Sequence, residues 1–156
     1  MIEEYKSWFE KNSEQALSKL CAFLRFPSVS TDPAYKQELL ACKDWLLHYM
    51  EEIGLEVEVW EGEGHPIIFG SSLEGGPKAT TLLFYGHYDV QPVDPLTLWD
   101  HDPFAPFIEE RAQGKVIRGR GASDDKGQLM TFVEACRAWI AENGTLPCTI
   151  TFFFEG

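Results

Sequence analysis

The chain has 156 residues, of which 44% are hydrophobic, 13% aromatic and 24% charged, with 13 Gly and 9 Pro. That is the size of one ordinary domain, with apolar material enough to bury roughly 70% of its unfolded surface, which excludes disorder, collagen and coiled coil for the whole. A balance of 13 Lys+Arg against 25 Asp+Glu, formal net charge −12, repels phosphate backbones and anionic membranes and so speaks against nucleic-acid and membrane partners.

Leu17, Leu20, Cys21 and Leu24 recur at helical spacing and predict a first helix over residues 2–24. Pro27 ends it, and FPSVST (26–31) reads as a loop. A second helix is expected over 33–53, with Leu39, Cys42, Leu46, Met50 and Ile53 on one face and Gly54 as its C-cap. LEVEVWE (55–61) alternates as an edge strand does, its charged face discouraging stray pairing. The Glu residues between 51 and 63, with no base among them, read as a solvated rim. A strand over 66–71 and a turn at EGGPK (74–78) follow. TTLLFYG (80–86) is apolar on both faces, which predicts a central strand covered by helices. A long loop rich in Pro, Asp and Trp runs over 87–104, and PFIEE, RAQG and KVIRG form a hairpin pattern. The third helix, 125–143, buries Leu129, Phe132, Val133, Cys136, Trp139 and Ile140 and closes at Asn143-Gly144, before a final strand CTITFFF (148–154). This order implies an α/β fold, a mixed and partly parallel sheet with helices on both faces.

The most apolar stretches, 82–85 and 150–154, are too short to span a membrane. The acid-bearing start, MIEEYKSWFEKNSEQ, lacks the basic-then-apolar order of a secretion signal, so a cytoplasmic location is expected. Cys21, Cys42, Cys136 and Cys148 make no C-x-x-C pair. Three of them sit on apolar helix faces, so small buried thiols are expected and no disulfide.

Two segments carry chemistry. GHYDVQP follows directly on the apolar strand, at the carboxyl end where open α/β sheets bind ligands. On extended backbone His87 and Asp89 project from the same side. A neutral imidazole ligates zinc well, and a carboxylate beside it can fix its tautomer. A loop histidine beside a turn aspartate has the same three-residue pattern. In GRGASDDKGQ (119–128) the glycine spacing fits neither a dinucleotide fingerprint nor a phosphate loop, and paired acids would repel a phosphate. Asp125-Lys126-Gly127-Gln128 has the form of a capping box with Asp125 as N-cap. That leaves Asp124 outside the helix among small residues, a placement suited to a hard or borderline cation. His48 and His65 read as exposed, and His101, in WDHDPF, has no ligand spacing to anything else. Without a G-x-S-x-G elbow or a cysteine beside a base, nucleophilic catalysis has no candidate.

YGHYDVQP, WDHDPFAP and GRGASDDKGQ at these spacings resemble the dinuclear-zinc metallopeptidases. That family includes carnosinase-type dipeptidases, carboxypeptidase G, aminoacylase, acetylornithine deacetylase and succinyl-diaminopimelate desuccinylase. The resemblance runs from the first helix to the last residue. It implies that His87 binds one zinc, that Asp124 bridges two, and that Asp89 is the active-site residue orienting His87. It implies a cis bond between Asp124 and Asp125 as well. It also implies zinc-dependent hydrolysis of a peptide or amide bond in a dipeptide or N-acyl amino acid, by a metal-activated water. Two Zn²⁺ per intact site are expected, with Co²⁺ or Mn²⁺ as substitutes, and a homodimer in the intact enzyme. In the family a Glu-Glu pair (general base and zinc ligand), a later acid and a distant His complete the site, and a lid or dimerisation domain is inserted. Residues 1–156 are accordingly expected to be the N-terminal, incomplete portion of such a catalytic domain, inactive alone. The alternative is a non-catalytic fragment or pseudoenzyme that binds a metal or a partner.

Overall fold

The computed structural model describes residues 2–72, 80–112 and 114–156, and the turn expected at EGGPK lies outside them. Helix α1 spans Ile2–Leu24, as the apolar spacing predicts. The helix expected from residue 33 opens instead with a 3-10 turn, Pro33–Tyr35, whose Asp32 carboxylate accepts from the Ala34 N–H at 2.9 Å. Helix α2 then runs over Lys36–Glu52. Strands β1 (Val57–Trp60), β2 (Ile67–Ser72) and β3 (Thr81–His87) follow, and β4 (Phe107–Arg111) with β5 (Gly114–Arg118) forms the separate hairpin. Helix α3 covers Lys126–Asn143 and stops at Gly144, whose φ of 79° only glycine adopts easily. Strand β6 is Thr149–Glu155.

The main sheet has the order β1-β2-β6-β3, antiparallel except for the parallel pair β3–β6. The mixed α/β class is therefore as the sequence implies, and two placements differ. Among the described residues TTLLFYG is not central: β3 lies at the sheet edge, with Leu82 45%, Leu83 63% and Tyr85 54% exposed, and the inner positions belong to β2 and β6. Apolarity on both faces reports what side chains a strand carries, not how many neighbours it has. Among the described residues the helices pack against one face of the sheet, where the element order implies both. Ile68, Ile150, Phe152 and Phe154 form one core with Leu39, Leu46, Met50, Leu129 and Val133 of the helices, and by strand alternation they share one side of the sheet. The other side carries Trp60 stacked on Phe69 and Tyr85 stacked on Phe153, outside that core.

All four cysteines are free, Cys42 and Cys136 fully buried and Cys21 and Cys148 half-buried. Burial pushes the Cys136 thiol up to about 12, the behaviour of an inert core group. Among the described residues no helix is long and apolar enough to cross a membrane.

The one-faced core makes a direct prediction. Leu46→Ala, at a fully buried position, should cost about 2–5 kcal/mol in a urea unfolding titration. Leu83→Ala, on the open face, should stay within about 0.5 kcal/mol of the parent.

Candidate metal centre

Strand β3 ends at His87, and the chain continues along a second contact that fixes its course. The Tyr88 N–H donates to the Glu155 carbonyl at 2.8 Å, extending the β3–β6 pairing by one residue. Tyr88 is fully buried, its hydroxyl on the Pro66 carbonyl. The loop after α1 runs beside this segment. The Ser28 hydroxyl donates to the Tyr88 carbonyl at 2.7 Å, the Val90 N–H donates to the Ser28 carbonyl at 2.9 Å, and Val29 bridges Val90. Ser30 donates from its hydroxyl to Asp89 Oδ2.

These contacts set the His87 ring. Nδ1 faces Asp89 Oδ1 at 2.9 Å and the Asp89 carbonyl at 3.2 Å, both acceptors, so Nδ1 carries the proton and Nε2 the lone pair. Nε2 is 3.4 Å from Asp124 Oδ1. The structure thus brings together all three residues singled out in the sequence. His87 is partly buried, at 28% side-chain exposure, whereas Asp124 is 78% exposed and open to a ligand. Burial works against the imidazolium, but the Asp89 carboxylate and carbonyl, with Asp125 beyond, outweigh it and raise the His87 pKa above its ordinary value.

The Asp124–Asp125 bond is cis, as the resemblance implies. The capping-box expectation is corrected. Asp125 is the first residue before α3, but its side chain makes no cap bond; Oδ2 accepts instead from the His87 N–H at 3.0 Å. Gln128, expected to complete the box, donates to the Ser123 carbonyl at 3.0 Å. The carboxylate serves the His87 N–H, which among the described residues has no strand partner at the outer edge of β3. Two glycines make the approach tight enough: a Cβ on Gly86 would lie 2.9 Å from Asp125 Oδ2, and one on Gly127 would lie 2.9 Å from the Ala122 carbonyl carbon and overlap its oxygen.

Lys126, in the same motif, is fully buried and donates to the Phe23 and Phe26 carbonyls at 3.2 and 2.8 Å, where α1 ends. Its ammonium complements the carbonyl end of the helix, although burial lowers its pKa. His65 is not simply exposed; Nε2 meets the Ser30 carbonyl at 3.1 Å. His48 is exposed as expected, and His101 packs edge-on against Phe107 at 4.4 Å. The sequence pattern assigns no role to Ser28 or Ser30 and places Lys126 only within the 125–128 motif. The one available signal was the Ser-x-Ser spacing in FPSVS, which matches the alternation of a segment lying along a strand.

The donor chemistry fits zinc in kind. An imidazole nitrogen and a carboxylate oxygen 3.4 Å apart, each at a bond length of about 2.1 Å, would subtend an angle of about 108° at one ion, close to tetrahedral. In number the set is small: the described residues gather no group of three or more His, Cys, Asp or Glu able to hold a metal.

Residues 83–156 match peptidase family M20/M25/M40. The chain is 27% identical to the Cys-Gly metallodipeptidase dug1 of Schizosaccharomyces pombe, over 94% of this chain and 32% of that protein. It is 35% identical to the succinyl-diaminopimelate desuccinylase of Methylocella silvestris, over 88% of this chain and 34% of that protein. Among solved structures, human carnosine dipeptidase 1 superposes with a TM-score of 0.84 at 26% identity, over 98% of this chain and 34% of that one. The chain thus spans about a third of the length of the relatives it matches. Motifs, fold and relatives all agree with the match of residues 83–156 to peptidase family M20/M25/M40.

Proposed function

We propose that this chain supplies one half of a zinc centre for hydrolysis of a peptide or amide bond in a dipeptide or N-acyl amino acid. His87 and Asp124 would hold metal and Asp89 would orient His87. The observation that carries the proposal is the meeting of His87 Nε2 with Asp124 Oδ1 at 3.4 Å while Asp89 takes the opposite ring nitrogen. The relatives add support from their names: a Cys-Gly metallodipeptidase and a desuccinylase both cleave an amide.

When bound, zinc supplies Lewis acidity, polarising a carbonyl and making a bound water more acidic. The chain's own residues prepare the place. Asp89 keeps the proton on Nδ1, leaving Nε2 as a donor. Asp125 pins the His87 backbone, and Asp89 on Nδ1 keeps the ring turned so that Nε2 faces Asp124. Asp124 offers a carboxylate that is largely exposed, with Oδ1 facing His87 Nε2. Co²⁺ or Mn²⁺ would suit the same donors.

Turnover needs more than this set. A catalytic zinc normally takes three protein ligands, and two donors leave the rest of the coordination to water. We therefore read residues 1–156 as the N-terminal part of the catalytic domain, holding metal weakly and inactive on its own, with dimerisation a property of the whole enzyme. The weak donor count also favours, as second reading, a metal-binding domain without turnover. A cytoplasmic location belongs to the same proposal, supported by four unpaired cysteines.

The test is Co²⁺ or Zn²⁺ titration of the chain, with dipeptide hydrolysis followed in parallel. Binding should be weak, and His87→Ala should lower it by more than about 100-fold, above the usual cost of losing a supporting residue. Two tightly held zincs per chain, with turnover abolished by His87→Ala, would contradict the half-site reading. The longer protein should hydrolyse a dipeptide and lose that activity to a chelator. Failure there would leave the metal-binding domain.

The raised His87 pKa has a definite sign. Metal needs the neutral ring, so affinity should fall as pH drops, beginning above the ordinary histidine value of about 6.5. Without metal the opposite holds: the contribution of the imidazolium to stability is complete below the unfolded pKa and is lost as pH rises through the raised folded value. Unfolding titrations of the metal-free chain and of His87→Gln should therefore converge with rising pH.

A further inference from the structure

We propose that Ser30 is a positioning residue for His87, acting through Asp89. The proposal rests on the metal-ligand reading of His87 and adds to it the group that orients the orienter.

Asp89 can fix His87 only if its own carboxylate is fixed. The side chain turns about two torsions, and turning it would withdraw Oδ1 from the ring. Asp89 is only 21% exposed, and its second oxygen is held by Ser30, whose hydroxyl donates to Oδ2 while Oδ1 faces His87 Nδ1 at 2.9 Å. The carboxylate is thus gripped at both ends, and the grip is directional because each oxygen has one partner.

Ser30 is in turn rigidly presented. Two residues earlier, Ser28 is buried and tied to Tyr88 and Val90, the residues flanking Asp89, with Val29 bridging Val90. The base of the same loop is held by Lys126 on the Phe23 and Phe26 carbonyls. On its far side the Ser30 carbonyl meets His65 Nε2 at 3.1 Å. The loop therefore connects the residue after Asp125 to the carboxylate beside His87, and Ser30 is its point of delivery. If the hydroxyl were lost, Asp89 Oδ1 would be free to turn, and the remaining acceptor for Nδ1–H would be the Asp89 carbonyl at 3.2 Å. That acceptor is neutral, so the bond would lose its charge assistance.

The experiment compares Ser30→Ala and Ser30→Thr with the parent chain. Threonine keeps the donor, and its added methyl can enter the cavity that Ser30 lines with Leu39, Glu63 and His65. The first readout is the His87 Nδ1–H proton resonance in the metal-free chain; the second is Co²⁺ affinity. In the parent the resonance should lie far downfield. In Ser30→Ala it should move upfield and broaden by exchange with water, and Co²⁺ affinity should fall about ten-fold, as for other residues that support a metal ligand. Ser30→Thr should restore both.

An unmoved resonance in Ser30→Ala, unchanged Co²⁺ affinity where the parent binds Co²⁺, or equal damage from both variants would overturn the proposal. If Ser30→Ala does not fold, Ser30→Cys, a weak donor of similar size, should give an intermediate shift, and a parent-like resonance there would also overturn it. If the parent binds no Co²⁺, the metal reading falls, while the resonance still decides for or against Ser30.

Discussion

Everything at the candidate site depends on how His87 is held. Its backbone N–H is taken by Asp125 and its ring Nδ1 by Asp89, so one carboxylate from two residues along the chain and one from the distant start of α3 grip one residue at the end of one strand. Either grip alone would leave a torsion free. Together they leave Nε2 pointing at Asp124 with its lone pair available. Three carboxylates surround one partly buried imidazole. Their charge attracts a cation to the space between Nε2 and Asp124, and this is the physical sense in which the residues suit a metal.

The fold delivers those segments from far apart in the chain. The β3–β6 parallel pair sets His87 beside Glu155, and α3 packs beneath β3 so that the residues just before the helix reach the strand end. Ligand sites beyond the carboxyl ends of strands are the general rule for open α/β sheets. Here the edge position of β3 adds something: among the described residues its last N–H has no strand partner and is left for a side chain to satisfy. A central strand would have spent that donor on the ladder.

Much of this was legible in the sequence, for reasons that can be named. Helical spacing located α1 and α3, and the Gly144 cap ended α3 where Asn143-Gly144 suggested. His87, Asp89 and Asp124 were legible as a set because three motifs at these spacings resemble one metallopeptidase family, whereas the His-x-Asp pattern alone also fits a loop histidine beside a turn aspartate. What failed was whatever depends on partners distant in sequence. The apolarity of TTLLFYG could not say that β3 lies at the edge of the described sheet and β6 inside it. The Asp125 pattern is that of a cap, and only the fold shows a competing donor, the His87 N–H. Apart from its Ser-x-Ser spacing, nothing in the loop FPSVST singles out Ser28 or Ser30, and nothing in the 125–128 pattern says that Lys126 is fully buried.

The central claim is that His87 and Asp124 share one metal ion. The most direct measurement is anomalous diffraction from a crystal of the chain grown with Zn²⁺. The account predicts one zinc peak lying between His87 Nε2 and the Asp124 carboxylate, at bond lengths of about 2.0–2.2 Å to each. A peak elsewhere, on His65 and the acidic rim of Glu61 and Glu63 for instance, with none at His87, would contradict it.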